Sequence, residues 1–154
     1  MKKKIYVFSF IFFVLDLISK LLIIKSDVHQ TVINNFLYIK KVTNTGAAFS
    51  IFSGATAIFI LIAIVVLIYI FKEFINKVDT KLELIGISML IGGVLGNLID
   101  RIVYGKVVDF ISFKFGSYYF PVFNLADTFI VLGVAFIIIN SIRSSKDGNK
   151  SSRK

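Results

Sequence analysis

The sequence contains no cysteine, no tryptophan, one proline and one histidine, His29. Without cysteine the chain can form no disulfide, no thiolate metal site and no cysteine nucleophile. A single histidine excludes a histidine-rich zinc site and argues against a Ser-His-Asp triad. We therefore expect this protein to bind no metal and no cofactor.

Acidic residues are also scarce, since nine of them stand against 18 lysines and arginines, for a formal net charge of +9. Eight of the 18 basic residues lie at the two ends of the chain, an arrangement typical of cytoplasmic anchors beside membrane spans. No aromatic–basic platform accompanies them, so we expect no nucleic-acid partner. These terminal basic residues are Lys2, Lys3, Lys4, Arg143, Lys146, Lys150, Arg153 and Lys154.

Apolar residues are in excess: 56% of the chain is hydrophobic, with 17 phenylalanines and a mean hydropathy of +0.85. A helix needs about 20 mostly apolar residues to cross a bilayer. The pattern predicts an all-α integral membrane protein with four transmembrane helices. We expect one membrane-embedded domain over residues 1–142 and a basic, disordered cytoplasmic tail over 143–154. The four apolar runs cover residues 5–24, 55–71, 82–102 and 124–142.

The first apolar run begins like a signal peptide, after three lysines. However, Asp16 and Lys20 interrupt it, and no small-x-small cleavage site follows. We therefore interpret it as an uncleaved first span. With four spans, both basic termini face the cytoplasm, which places residues 29–53 and 103–121 on the extracytoplasmic side.

Two segments of the predicted extracytoplasmic side have distinctive compositions. Residues 31–39 are β-branched and aromatic around Asn34 and Asn35, a turn signal. They predict a small β-cradle at the outer interface, with a flexible loop as the alternative. Residues 44–49 are small and polar, and such a stretch can let a substrate backbone approach closely.

The third span carries two helical patterns. Ser88, Gly92 and Gly96 recur every four residues, the small-xxx-small spacing that lets two membrane helices approach closely. Gly93, Asn97, Asp100 and Arg101 share another face. We expect Asp100 and Arg101 to form an ion pair that supports the scaffold.

Three aspartates, Asp100, Asp109 and Asp127, lie in runs that are otherwise nearly all apolar or small. A carboxylate near the hydrocarbon boundary is costly unless it is held, so it marks a functional site by default. Asn124 can cap the fourth helix, which would make Asp127 an ordinary acid of a first helical turn. The second unpaired acid, Asp109, predicted at the same membrane depth, favours a converging pair that shares one proton.

Such a pair suits aspartic-protease chemistry, because the ionised carboxylate can activate water while the protonated one polarises a carbonyl. Pairs of acids in membranes also bind cations or relay protons. A small cation- or proton-coupled transporter is therefore the alternative function, and a structural membrane subunit is the third. A transporter usually shows repeated halves or interrupted paired helices, and the sequence has no internal repeat.

Asp16 and Lys20 add a second charged group, in the outer half of the first helix. Their i, i+4 spacing, with the acid first, favours an ion pair. We expect them either to support the same outer site or to form a plain buried ion pair.

Together these pieces resemble the lipoprotein signal peptidase family, signal peptidase II. The resemblance covers roughly residues 10–140, and its last three motifs are highly specific. One departure is Thr43, where the family commonly has arginine. The motifs, in family order, are Asp16-x-x-x-Lys20, Asn44-x-Gly46-Ala47-Ala48-Phe49, Gly96-Asn97-x-x-Asp100-Arg101, Val108-Asp109-Phe110 and Phe123-Asn124-x-Ala126-Asp127.

The resemblance implies an intramembrane aspartic endopeptidase of the bacterial cell membrane, with its site on the extracytoplasmic side. It would remove signal peptides from lipid-modified prolipoproteins, cleaving before the diacylglyceryl-modified cysteine. Membrane lipids are its other expected partners, and we expect a monomer. It implies a catalytic dyad of Asp109 and Asp127. The supporting or substrate-binding residues would be Asp16, Lys20, Asn44, Gly46, Asn97, Asp100, Arg101, Asn124 and Ala126.

Overall fold

The computed structural model describes residues 1–26, 29–46 and 54–151. Four helices in this part of the chain are long and apolar enough to cross a membrane, which confirms the four predicted spans. The last three residues of the stretch 44–49 and those that follow, up to residue 53, lie outside the described residues. The helices are α1 (Lys2–Ser26), α2 (Thr56–Tyr69, continued by a π-helical turn over Ile70–Phe74), α3 (Lys81–Tyr104) and α4 (Leu125–Ser151).

Helix α3 forms the centre of the bundle. Most of its side chains are buried, whereas α1, α2 and α4 expose long apolar faces such as Phe10, Leu61 and Val131. Exposed apolar faces of this size suit contact with lipid rather than water. The chain therefore buries its polar groups around α3 and turns its apolar side chains outward.

Small residues explain how closely the other helices approach α3. Ser88 donates to the carbonyl oxygen of Ile5 at 3.4 Å, and a Cβ added to Gly92 would lie 2.8 Å from the carbonyl oxygen of Ser9. A Cβ on Gly96 would overlap the carboxylate of Asp16. The predicted small-xxx-small stripe thus lies against α1.

A second small-residue face of α3 receives α4. A Cβ on Gly93 would lie 2.5 Å from the carbonyl oxygen of Ala126, and one on Gly86 would lie 2.9 Å from that of Gly133. In return, a Cβ on Gly133 would lie 2.6 Å from the carbonyl oxygen of Gly86. Backbones that approach this closely leave no room for even a methyl group.

We expect Gly96→Ala to destabilise the protein by about 1–3 kcal/mol, the usual cost of overpacking a well-packed core. The added methyl must displace the Asp16 carboxylate, which has no free space around it. Thermal unfolding in detergent measures the effect. Val103→Ala, on the same helix at a 60% exposed position, is the control. Equal unfolding temperatures for the two variants would contradict the close contact.

A four-stranded antiparallel sheet lies at the end of the bundle where α1 and α3 end and α4 begins. Its strand order is sequential, β1-β2-β3-β4. Asn35 adopts a left-handed backbone conformation (φ 58°) in the β1–β2 turn, as the Asn-Asn signal predicts. The strands are β1 (His29–Ile33), β2 (Leu37–Asn44), β3 (Val107–Phe115) and β4 (Tyr118–Tyr119).

The predicted β-cradle is thus confirmed, but it is larger than the sequence indicated. Half of it comes from β3 and β4, in the segment 103–121, for which we predicted only a position on the extracytoplasmic side. The alternation of Phe113 and Phe115 with Ser112 and Lys114 was the signal for a strand, with a period of two.

Helix α4 continues to Ser151, although we expected a disordered tail from residue 143. The segment 143–151 contains no proline and only one glycine, so nothing in it forces the helix to end. The division of the chain at residue 142 stays a prediction.

Candidate active site

Asp109 lies on β3, at the end of the helix bundle that carries the sheet. Its side chain is buried, at 3% exposure. Both carboxylate oxygens accept hydrogen bonds from amide side chains: Oδ2 from Nδ2 of Asn44 at 3.1 Å, and Oδ1 from Nδ2 of Asn124 at 2.7 Å. A buried carboxylate that is hydrogen-bonded at both oxygens holds a fixed orientation.

Asp127 lies in the first turn of α4 and closes a reciprocal cap with Asn124. The backbone N–H of Asp127 donates to Oδ1 of Asn124 at 2.9 Å, while Oδ2 of Asp127 accepts from the backbone N–H of Asn124 at 3.2 Å. This is the geometry of a capping box. The expected helix-start role of Asp127 is therefore present, but it uses only one carboxylate oxygen.

The other oxygen of Asp127 faces the interior of the site. Oδ1 accepts from Nδ2 of Asn97 at 2.8 Å. Asn124 thus joins the two aspartates, since its side-chain amide donates to Asp109 and its backbone N–H donates to Asp127. The sequence prediction that these two acids converge agrees with this geometry.

Backbone pairing between β3 and the segment before α4 brings the aspartates together. Ile111 and Phe123 form an isolated antiparallel bridge. The carbonyl oxygen of Phe123 accepts from the backbone N–H groups of Phe110 at 2.9 Å and Ile111 at 2.8 Å. Because the strand is fixed against the residue that precedes Asn124, Asp109 lies beside the N-terminus of α4.

Both aspartates line a cavity of about 500 Å³ that also contains Asn44, Asn97 and Arg101. The polar side chains converge on one part of its wall. The remainder is mostly apolar and comes chiefly from the segment before α4 and from α4 itself. A pocket of this kind is the default hypothesis for the binding site of a protein. The apolar wall is formed by Val107, Phe120, Pro121, Val122, Phe123, Ile130, Val131 and Leu132.

The environment of Asp109 favours its protonated form. Burial raises the pKa of this carboxyl to about 6, and the negative charge of Asp127 adds to the rise. Hydrogen bonds from Asn44 and Asn124 oppose it, because they favour the anion. Asp109 thus keeps its proton to a higher pH than an ordinary aspartate does.

Lys20 contacts three polar side chains that lie next to the two aspartates of the cavity. It is 1% exposed and its ammonium group makes three short contacts: to Oδ2 of Asp16 at 2.7 Å, Oδ2 of Asp100 at 3.0 Å and Oδ1 of Asn97 at 3.0 Å. An ammonium has three N–H donors and no acceptor, so a set of three oxygen partners suits it. The expected Asp16–Lys20 pair is present, and it supports the site.

The prediction that Asp100 and Arg101 form an ion pair is wrong. In the described structure Asp100 pairs with Lys20, and its Oδ2 also accepts from the backbone N–H of Val108 at 3.3 Å. Adjacent residues on a helix point in directions about 100° apart, so they do not face each other. Lys20 reaches Asp100 because the small residues of α3 bring α1 close.

Arg101 instead spans the gap between α3 and the segment after β2. Its guanidinium donates to the carbonyl oxygens of Gly46 at 3.1 Å and Asn97 at 3.3 Å, and it lies 5.2 Å from the ring centre of Phe59 on α2. The planar group thus holds the Asn44–Gly46 turn beside the cavity.

The remaining predicted residues complete this network. Oδ1 of Asn44 accepts from the backbone N–H of Gly46 at 2.9 Å, and the backbone N–H of Ala126 donates to Oδ1 of Asp16 at 2.9 Å. Thr43 is exposed on β2 and pairs with Val108 in the β2–β3 ladder.

Sequence reasoning missed two contributors to the site. The backbone of Val108 participates through both its N–H and its carbonyl oxygen, which accepts from Asn124 at 3.4 Å. The apolar cavity wall was also missed. Its only sequence signal is the run Phe120-Pro121-Val122-Phe123, which precedes the helix cap without belonging to a span.

The fold and the site define a multi-pass membrane protein with two coupled carboxylates in a cavity at one end of its helix bundle. The sequence profile described as Signal peptidase (SPase) II matches residues 8–143. The chain therefore belongs to the signal peptidase II family, and it is a membrane-embedded peptidase.

Individual relatives agree with this assignment. A lipoprotein signal peptidase of Bacillus pumilus is 35% identical, over 95% of this chain and 97% of the relative. One of Staphylococcus haemolyticus is 38% identical, over 94% and 98%. A solved structure described as a bacterial membrane enzyme, obtained by the in meso method, superposes with a TM-score of 0.84 at 34% identity, covering 93% of this chain and 90% of that one.

Proposed function

We propose that this protein removes signal peptides from prolipoproteins by an aspartic mechanism, with Asp109 and Asp127 as the catalytic residues. The relatives at 35% and 38% identity are lipoprotein signal peptidases, and the match covers nearly their whole length. The single observation that carries the mechanism is that Asn124 hydrogen-bonds both carboxylates in one cavity, at 2.7 Å and 3.2 Å.

The two carboxylates take different roles because their environments differ. Asp109 is buried and carries the proton, since its pKa is raised to about 6. Asp127 lies at a helix N-terminus and accepts two hydrogen bonds, from Asn97 and from the backbone of Asn124. Both contacts hold its carboxylate toward the cavity, which suits it to accept a proton from water. Titration belongs to the pair as a whole, because the two groups are coupled.

Cleavage then follows in two steps, each with two proton transfers. The Asp127 carboxylate removes a proton from water, whose oxygen bonds to the scissile carbonyl carbon, while Asp109 donates its proton to the carbonyl oxygen. The tetrahedral intermediate collapses as Asp127 returns the proton to the leaving nitrogen and the C–N bond breaks. Asp109 recovers its proton from the hydroxyl of the intermediate, which restores the starting state.

The cavity wall supports cleavage beside a lipid-modified residue. The polar groups occupy one part of the wall, and aromatic and aliphatic side chains such as Phe120, Val122 and Leu132 form the rest. Acyl chains of a diacylglyceryl cysteine would extend along this apolar wall toward the membrane, which would leave the preceding peptide bond at the aspartates.

The direct test is a gel-shift assay with one diacylglyceryl-modified prolipoprotein in detergent. We expect a smaller product whose new N-terminus is the modified cysteine, with and without EDTA. The unmodified precursor is the matched substrate control. A protein that leaves the modified precursor intact in detergent would favour the transporter alternative, which needs a membrane gradient and no bond cleavage.

The pH dependence of activity reports the shared proton. Because Asp109 must carry the proton, kcat/KM should fall as the pH rises through its pKa of about 6. At low pH the second carboxylate becomes protonated and activity falls again, which gives a bell-shaped profile. Steady-state kinetics across the pH range measures both limbs. An active, stable enzyme without an alkaline limb would refute the shared-proton mechanism.

We further propose that both termini lie in the cytoplasm and that the sheet and cavity face the extracytoplasmic side of a bacterial cell membrane. The basic ends of the chain support this orientation. The chain has no native cysteine, so single cysteines at Ser117 and Ser145 can be labelled selectively. A membrane-impermeant reagent added from outside should label Ser117→Cys and spare Ser145→Cys, and the reverse result would invert the topology. The monomeric state stays a prediction.

A further inference from the structure

The β-sheet has a second face, opposite to the one that carries Asp109. Along β3, Asp109, Ile111 and Phe113 share one face, so the alternation of a strand places Ser112 and Lys114 on the other. Strand pairing adds the residues that lie opposite them. Ser112 pairs with Tyr38 on β2, Tyr38 pairs with Thr31 on β1, and Lys114 pairs with Tyr119 on β4.

This polar face contains a pocket of about 280 Å³, distinct from the active-site cavity. None of the residues around it belongs to the catalytic network described above. Hydroxyl, amide and ammonium groups from all four strands surround it. Its polar lining consists of Gln30, Thr31, Tyr38, Lys40, Ser112 and Tyr119.

Ser112 supplies an unused hydrogen-bonding group in this pocket. Its side chain is 0% exposed, and its hydroxyl has no hydrogen-bond partner in the part of the chain that the structure describes. A buried hydroxyl without a partner is destabilising. A ligand with acceptor oxygens would remove that cost.

The pocket is also positively charged. The ammonium groups of Lys40 and Lys114 both lie over the ring of Tyr119, at 5.5 Å and 5.2 Å from its centre. Strands β1 to β4 contain one acid, Asp109, and it lies on the opposite face. Two cations that converge on one ring, with no acid on this face of the four described strands, favour an anionic ligand.

The position of the sheet indicates where that anion comes from. The sheet lies at the end of the bundle where α1 and α3 end and α4 begins. With these helices spanning a bilayer, that end would lie beside the lipid headgroups. Tyrosine and lysine concentrate at this level in membrane proteins, and basic pockets there hold lipid phosphates. An acidic peptide would also bring carboxylates, but a small pocket of hydroxyls, lined by the ammonium group of Lys40 and with that of Lys114 beside it, suits one compact group of several oxygens.

We propose that this pocket binds the phosphate group of an anionic phospholipid. Lys40 and Lys114 supply the opposite charge, and the hydroxyls of Ser112, Thr31 and Tyr38 supply hydrogen-bond donors. The bound lipid would anchor the sheet, and with it the strand that carries Asp109, at the membrane surface. The inference does not depend on the chemistry proposed for the aspartates.

Fluorescence can test the proposal because the chain has no native tryptophan. Tyr119→Trp places a single fluorophore in the pocket and keeps an aromatic ring for the two lysines. We would titrate this variant in detergent with short-chain phosphatidylglycerol, and with short-chain phosphatidylcholine, inorganic phosphate and an aspartate-rich peptide in parallel. We expect saturation with phosphatidylglycerol at a concentration at least about tenfold lower than with any other probe.

Variants assign the binding to this pocket. Lys40→Gln with Lys114→Gln should raise the half-saturating concentration of phosphatidylglycerol by about tenfold or more, because hydrogen bonds to charged groups are the stronger ones. Ser112→Ala should raise it less. Lys2→Gln with Lys3→Gln removes the same charge at the opposite end of α1 and should leave it unchanged.

Several results would overturn the proposal. Equal loss of binding in the control pair would show a general effect of net charge. Tighter binding of the peptide would make the pocket a peptide site, and equal binding of inorganic phosphate would remove the lipid as its ligand. Failure of phosphatidylglycerol to saturate Tyr119→Trp, in protein whose thermal unfolding matches that of the parent, would refute the site.

Discussion

Asp109→Asn and Asp127→Asn are each expected to reduce prolipoprotein cleavage by about 10⁴-fold or more, the scale on which single members of a catalytic unit act. Asparagine keeps the size of the side chain but can neither carry the shared proton nor take one from water. Cleavage rates of purified protein in detergent measure the loss. Membrane insertion should be unchanged, because neither substitution adds a charge.

The double variant separates a joint mechanism from two independent contributions. Residues that act as one unit are strongly non-additive, so we expect the double variant to be no worse than either single variant. Asp79→Asn makes the same chemical change at an exposed acid between α2 and α3, and activity should be retained. Cleavage near the wild-type rate by either single active-site variant would eliminate the dyad.

Lys20→Met is expected to have the largest effect on stability, a loss of about 3–5 kcal/mol, because it leaves buried charges without a partner. Lys20 contacts Asp16 and Asp100, which are 0% and 2% exposed. It also orients Asn97, since an ammonium can only donate and therefore holds the amide oxygen toward itself. The Asn97 nitrogen then faces Asp127, so activity should fall as well.

Lys77→Met is a matched control, because Lys77 also pairs with an acid four residues before it, Glu73 at 3.0 Å. That pair is exposed, and exposed pairs of this kind contribute about 0.3–0.5 kcal/mol. Unfolding in detergent should therefore separate the two lysines. Adding Asp16→Asn and Asp100→Asn to Lys20→Met should recover part of the lost stability, since it removes the stranded charges. A triple variant less stable than Lys20→Met would contradict this explanation.

Much of this architecture follows from local sequence. The four spans depend on apolar length, and the close approach of α1 to α3 depends on Ser88, Gly92 and Gly96, which any helix displays on one face. The β1–β2 hairpin follows from β-branched strands around an Asn-Asn turn. The cap of α4 needs only Asn124 and Asp127, which are three residues apart. Such features involve neighbours along the chain, so the chain order contains them.

The partners of the charged residues were decided by the tertiary structure. Sequence adjacency suggested that Asp100 pairs with Arg101, whereas helix packing gives Asp100 to Lys20, from a different helix. The link that Asn124 makes between the two aspartates depends on the Ile111–Phe123 bridge, which joins a strand to the start of a helix. The phosphate pocket likewise exists only once four strands align their polar residues. Contacts of this kind depend on distances between segments far apart in the chain, and residue order does not specify those distances until the elements pack.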